Sequence, residues 1–432
     1  MYRYPHSSGF DTPSASPSPS PPPARSSSKP YELLFLGTAC SSALPNIACT
    51  TDPVNGCDAC LDTVGNPGNK NIRGNTGCVL RVPRGERQDE LTILIDCGKT
   101  FREQALKFFP QHGLRKIDAC ILTHAHADAI DGLDDLRMWT YDSAIERTIP
   151  IYCTRTTYDQ IASSFTYMVS KAAASGSGAL PSFDWHVMRE DEEWDVCGVK
   201  IVPIPVEHGH YFDRKTGPQR PLIALGFLID STVLYLSDVS RVPEPQITRL
   251  ATYLSLPSSS QSSSSSSISS AFSPTPRLLP RPLPTLDTLI IDTCSLFSPH
   301  PRSHFTLPQA LSFAARLGAR KTYLTDLPHG VSHAAWLEWS TAFSSRGAGP
   351  PRPPQETNAL LSLSSRSPRS FTRAANAFIA SYAAETGEDE VAEGRWVRPA
   401  FDGLVLSWEG LDEEDGEGGE EGGGRVWDSA YD

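Results

Sequence analysis

No stretch of this 432-residue chain approaches the roughly 18 consecutive apolar residues of a membrane span. Residues 1–30, MYRYPHSSGFDTPSASPSPSPPPARSSSKP, also lack the apolar core of a secretory signal. Neither a membrane protein nor a secreted one is expected, and the location expected is cytoplasmic. The Ser-rich, acid-poor start leaves organelle targeting open, although its prolines oppose an amphipathic helix. Basic charge is short as well, with 38 Lys and Arg against 50 Asp and Glu. Eight of those acids fall in EGLDEEDGEGGEE (409–421), so the remaining body is only mildly acidic. Without a broad basic face, tight binding of extended nucleic acid is not expected, and a small anionic substrate held by metal ions fits better. No internal repeat is visible.

Cysteine is not scarce, but ten of them would imply disulfides only in a secreted chain. Several sit inside apolar runs, as in CVLRV, LIDCG and DACILT, where a thiol serves as a small buried hydrophobe. The cluster Cys49, Cys57 and Cys60 is the one that looks chemical.

Residues 1–30 are Pro/Ser-rich and offer too little apolar surface to offset the entropy of ordering. Order is expected from YELLFLG onward. Strand-like runs follow at 78–82, 91–98, 117–123, 199–206, 222–230, 232–238, 286–293 and 321–326, with helix-like stretches at 100–109, 130–141, 156–172, 307–318 and 332–342. Strands and helices mix throughout, which predicts a layered α/β body over 31–408 rather than a bundle or a barrel. Two low-complexity insertions, 254–285 and 344–370, read as expanded surface loops. A last strand in FDGLVLSW (401–408) returns to the body before an acidic tail, 409–432.

The chemistry gathers in CILTHAHADAIDGLDDLR (120–137). A buried strand runs out at Thr123, and His124 and His126 follow at i and i+2, a spacing that puts both imidazoles on one side of an extended backbone. Asp128 continues the alternation, and a helix is expected after Gly132. A lone His-x-His is usually chance. Here further strand ends deliver ligand-type side chains: His208 with His210 in IPVEHGH, Asp238 in LYLSDVS, and Asp96 in LIDCG. Asp131, Asp134 and Asp135 read as helix-start charges, Arg137 as a salt-bridge partner, and His300 as a loop residue. Arg241 falls near the same edge.

This pattern resembles the metallo-β-lactamase superfamily over about 32–341 and 401–408. The resemblance implies an αβ/βα four-layer sandwich with one or two ions at one edge. It implies His124, His126 and His208 for the first ion, Asp238 as a bridge, Asp128 for the second, and Asp96 orienting the histidine loop from behind. His210 is expected behind the ligands or facing solvent. More narrowly, FLGTACSSALPN, GCDAC, SHFTLPQAL, LTDLPH and FDG resemble the PhnP-like, phosphoribosyl cyclic phosphodiesterase-like branch. That likeness implies a structural zinc on Cys49, Cys57, Cys60 and His329, and a catalytic His304 beside the substrate phosphate.

Two departures bear on the second ion. Ala129 stands where the superfamily usually has His, and Asp326 replaces another histidine. Asp326 remains a candidate ligand, and carboxylates there would shift preference from zinc toward manganese. The activity expected is metal-dependent hydrolysis of a small, cyclic phosphodiester, with ions that generate hydroxide at neutral pH and His304 as general acid. Alternatives are an RNA-processing or thioester hydrolase of the same superfamily, or a non-catalytic zinc-stabilised interaction protein whose Ser/Pro loops and acidic tail bind unidentified partners.

Overall fold

The structure is a computed structural model that describes residues 30–52, 54–84, 90–170, 180–213, 215, 217–255, 286–298, 301–345, 368–386, 395–409 and 425–431. The expected N-terminal disorder, His300, most of both insertions and most of the acidic tail lie outside the described residues. Among the described residues, no helix is long and apolar enough to cross a membrane.

Strands that alternate two kinds of neighbour build the body. In Tyr31–Gly37, Leu33 and Phe35 enter the cluster between two sheets, whereas Leu34 and Leu36 enter the cluster under the outer helices. In Val233–Leu236 the same alternation sends Val233 and Tyr235 inward and Leu234 and Leu236 outward. Both faces of each strand are therefore apolar, and each fully buried Leu or Phe stabilises the fold by about 1.5–3 kcal/mol.

The first sheet runs in the order Trp427–Asp428, Val405–Trp408, Tyr31–Gly37, Gly77–Val82, Leu91–Ile95, Ala119–Ile121, Ile149–Thr154 and Phe183–Met188. The second runs Trp396–Pro399, Lys321–Thr325, Thr288–Asp292, Val233–Leu236, Gly217–Ile229, Val199–Asp213 and Trp194–Val196. Helices Phe101–Gln111, Leu133–Thr140 and Arg155–Ser164 bury Phe101, Phe108, Leu133, Leu136 and Ile161 against the outside of the first sheet. Glu244–Ser255, Leu307–Arg316, His333–Ser345 and Pro368–Thr386 bury Leu250, Leu311, Trp336, Trp339 and Phe371 against the second. The result is the four-layer α/β sandwich expected.

The structure adds elements that the sequence reading did not place. Ile149–Thr154 and Phe183–Met188 extend the first sheet, and Trp396–Pro399 edges the second. Pro368–Thr386 is a helix that begins inside the span read as an insertion, and His333–Ser345 runs into the same span from the other side. The end of the expected acidic tail is also corrected. Residues 425–431 return to the first sheet, with Leu406 paired to Asp428 and Val426 buried. The physical reason is a local change from Glu/Gly to VWDSAY, apolar enough to add an edge strand. Tyr323 donates to the buried Asp428 carboxylate at 2.6 Å and anchors that strand across the sandwich.

Candidate metal centre

The C-terminal ends of several strands, from both sheets, meet at one edge. Asp96 follows Leu91–Ile95, His124 follows Ala119–Ile121, Asp238 follows Val233–Leu236, Asp292 ends Thr288–Asp292, and Asp326 follows Lys321–Thr325. His208 lies inside Val199–Asp213 where the register shifts between Glu207 and His210, so the strand bends at the ligand. The Leu225 amide donates to the Thr123 carbonyl at 3.0 Å and ties the second sheet to the histidine loop.

That loop is pressed onto the one before it. Cys97 N–H donates to the Ala129 carbonyl at 2.7 Å, and Gly132 N–H returns a bond to Cys97 at 2.8 Å. A Cβ on Gly98 would stand 1.7 Å from the Asp128 carbonyl oxygen, so only glycine permits the approach.

His124, His126 and His208 offer ring nitrogens all within 4.8 Å of one another. His208 Nε2 faces His126 Nδ1 at 3.1 Å, a spacing that calls for a proton or a cation between two ring nitrogens. His208 Nδ1–H donates to the Ser303 carbonyl at 2.7 Å, which leaves the Nε2 lone pair toward the centre. Behind His124, Thr123 N–H and hydroxyl lie 2.8 and 2.9 Å from the Asp96 carboxylate, and the same hydroxyl lies 2.9 Å from His124 Nδ1. A hydroxyl that donates to Asp96 accepts from His124 Nδ1–H, so Nε2 again carries the lone pair. His124 Nε2 is buried and has no hydrogen-bond partner among the described residues. An orphaned, deeply buried nitrogen aimed at two other imidazoles fits a resident divalent ion.

The electrostatics agree. Burial holds His124 down at about 3, so it is neutral and free to ligate at ordinary pH. Burial alone would raise Asp238, but the imidazoles of His124, His208 and His304 hold it at about 2. Asp238 Oδ1 lies 3.7 Å from His208 Nε2 and 4.0 Å from His304 Nδ1, between the two sides of the centre. Burial and then the Asp238 charge lift Asp128 to about 6. Asp128 belongs to none of the donor groups, and the Ala129 side chain joins the apolar cluster under the helices, where it offers no donor. Burial pushes Asp96 up, and its bonds from Thr123 oppose that push.

His304 lies across Asp238 from the histidine triad. Its Nδ1 is 2.8 Å from Asp292 Oδ2 and 3.0 Å from Asp326 Oδ2. Cys294, His304 and Asp326 form a further donor group within 4.8 Å. Of the two places expected for His210, behind the ligands or facing solvent, the structure shows the second: it is exposed and in no donor group, because the bulge at Gly209 (φ 76°) turns the strand after His208. Arg137 pairs with Asp134 at 3.2 Å, and Arg241 pairs with Glu207 at 3.0 Å. Sequence reasoning missed Thr123, Asp292, Cys294 and Lys99, whose charge reaches Asp128. Only Asp292 carried a usable signal, as the carboxylate closing the strand TLIID.

A second group lies apart from this edge. Cys49, Cys57, Cys60 and His329 bring their donor atoms within 4.8 Å of one another. Cys49 and Cys57 Sγ each lie 3.4 Å from His329 Nδ1, and Asn46 N–H donates to Cys60 Sγ at 3.2 Å. A hydrogen bond with Cys60 draws the Cys57 thiol down to about 4. Three thiolates and one imidazole leave a tetrahedral ion no open position, a donor set suited to structural zinc.

Residues 92–259 match the family model described as β-lactamase superfamily domain. Over 87% of this chain and 96% of the other, the fold also matches the crystal structure of a diphosphatase from the PhnP family, with a TM-score of 0.52 at 22% identity. Residues 92–259 thus resemble a β-lactamase superfamily domain, and the body has the metallo-β-lactamase fold. Members of this superfamily are metal-dependent hydrolases, and the metallo-β-lactamase fold binds divalent ions. Among curated relatives, the octanoyltransferase of Porphyromonas gingivalis is 27% identical over 41% of this chain and 30% of its own length. The transcription termination factor FttA of Methanococcus maripaludis is 35% identical over 16% of this chain and 11% of its own. The chain thus spans less than a third of the length of either.

Proposed function

We propose that this chain of metallo-β-lactamase fold is a metal-dependent hydrolase of a small phosphodiester. The observation that carries the reading is the triad of His124, His126 and His208 converging on Asp238 with the His124 Nε2 lone pair buried and unpaired. A divalent ion bound there supplies Lewis acidity, which lowers the pKa of water and offsets charge growing on phosphoryl oxygens.

The chain's own residues do the rest. Asp96 and Thr123 fix the tautomer of His124, and the Ser303 carbonyl fixes that of His208, so neither ring must reorganise during turnover. Asp238, held ionised by the imidazoles around it, is placed to bridge the two sides of the centre or to orient the attacking water there. His304, Cys294 and Asp326 gather across Asp238, and positive charge held there would meet the same substrate oxygens from the opposite side. The likeness to a PhnP-family diphosphatase supports a phosphoryl substrate over a thioester. The Cys49, Cys57, Cys60 and His329 group is read as a zinc that ties the loop carrying the three cysteines to His329.

The test is hydrolysis of bis(p-nitrophenyl) phosphate by chelator-stripped protein reloaded with zinc or manganese. Metal-dependent turnover that His124→Ala abolishes, followed by turnover of a cyclic phosphodiester, supports the proposal. A fully loaded protein that turns over no phosphodiester refutes it.

A further inference from the structure

The second ion position of the superfamily is stripped here, since Ala129 is turned into the apolar cluster and Asp128 joins no donor group. Yet the opposite side of Asp238 carries more negative charge than its own side chains balance. Asp238, Asp292 and Asp326 are 8%, 0% and 2% exposed. Among the described residues their ion pairs are to histidines alone, His208 and His304. Carboxylates buried without cations are strongly disfavoured, so such a cluster marks a cation's place.

The three carboxylates are not alike. Asp292 is already satisfied by backbone: Val239 N–H donates to Oδ2 at 3.0 Å and Cys294 N–H to Oδ1 at 2.7 Å. Asp326 has no backbone donor among the hydrogen bonds of the described residues, and the turn that places it is a non-glycine left-handed one (φ 54°). Its Oδ2 meets His304 Nδ1 at 3.0 Å, close to the 3.1 Å between His208 Nε2 and His126 Nδ1 in the histidine triad. Cys294 adds a sulfur within 4.8 Å of both.

We propose that Cys294, His304 and Asp326 hold the second ion of this centre, and that this ion is zinc. A thiolate, an imidazole and a carboxylate are all zinc ligands, whereas a thiolate disfavours manganese, reversing the preference expected from carboxylates alone. Asp238 stands between this position and the triad, as a bridge in a two-ion centre does. His304 is then a ligand, not the proton donor that the sequence resemblance implies. The use of the site rests on the hydrolase reading, but its test reads bound ions and not turnover.

The 432-residue protein, stripped by chelator and reloaded with zinc alone, should hold about three ions per chain by atomic emission, one each on the histidine triad, on Cys294, His304 and Asp326 with Asp238 as the bridge, and on the Cys49, Cys57, Cys60 and His329 group. Cys294→Ser should hold about two, with an unchanged circular dichroism spectrum, and Asp128→Ala should still hold about three. Three ions in Cys294→Ser, or an ion lost from Asp128→Ala instead, overturns the assignment. Zinc-edge X-ray absorption on the unaltered chain covers the case of a variant that fails to fold. Four sulfur ligands shared over three zincs are expected, and three sulfurs overturn the proposal. Full loading without phosphodiester turnover would refute the proposed function and leave this site standing.

Discussion

Thr123→Val removes one hydroxyl and almost no volume from the relay behind His124. In the native chain that hydroxyl lies 2.9 and 3.0 Å from the two Asp96 oxygens and 2.9 Å from His124 Nδ1. The bond to a carboxylate is worth about 1.5–3 kcal/mol and the bond to the neutral ring about 1 kcal/mol. The variant should therefore lose about 2–4 kcal/mol of apo-state stability, because both groups stay buried without the hydroxyl. The more telling loss is in ligation. With the tautomer of His124 no longer fixed, affinity of the triad for zinc should fall about 10–100-fold, the usual cost of removing a group that orients a metal-binding histidine. Chelator-competition titration of the triad ion, read after the thiolate group is filled, measures this directly. Thr123→Ser should restore most of the affinity. Equal zinc affinity in Thr123→Val and the native chain would refute the relay argument, whatever happened to stability.

Cys57→Ala should leave the thiolate group unable to hold its zinc and lower the thermal midpoint by several degrees or more; a midpoint and zinc content like the native chain's would deny that group a structural role. His333 is 7% exposed, with Nδ1 3.1 Å from the Arg73 guanidinium, and burial, with the Arg73 charge adding, lowers its pKa to about 3. Its unfolded form binds a proton below about 6.5 and its folded form does not, so stability should fall as pH drops from about 6.5 toward 3, by up to ~1.4 kcal/mol per unit. In urea titrations of metal-free protein, His333→Gln should show a flatter acid limb, and an identical slope would remove His333 as the cause. Tyr323→Phe leaves the buried Asp428 carboxylate short of a donor and should cost about 1.5–3 kcal/mol, read as a lower urea midpoint at unchanged slope.

The body of the fold was legible because its strands are short apolar runs that end in ligand-type residues, and the buried faces leave little ambiguity. Helix Pro368–Thr386 was not, since it follows a Pro/Ser-rich stretch and its Ala-rich face, with Phe371 and Ala375, becomes apolar only against Trp336 and Trp339. The histidine spacing of 124 and 126 placed the triad on one side of the chain, and His208 could be sought at another strand end. Asp96 was read as a residue behind the ligands, but Thr123, through which it reaches His124, was invisible: a threonine ending a strand has no mark of its own until the carboxylate is seen beside it. Cys294 was hidden for the opposite reason. A cysteine after an apolar run reads as filler, and only the packing of Asp326 and His304 around it gives the sulfur a chemical neighbourhood.

The strand that begins the described fold finds one of its partners near the other end of the chain. Glu32 pairs with Ser407 and Leu33 with Leu406, and the strand beyond them is Trp427–Asp428. At a synthesis rate of about 5–20 residues per second, Tyr31–Gly37 would wait roughly 20–75 s on the ribosome with that edge uncovered. During that interval the nascent chain presents a largely apolar strand with open backbone donors and acceptors, the template on which other chains pair. Chaperone demand during translation should therefore track codon speed between the two strands, and a circular permutant that joins Val405–Trp408 directly ahead of Tyr31–Gly37 should shed that dependence.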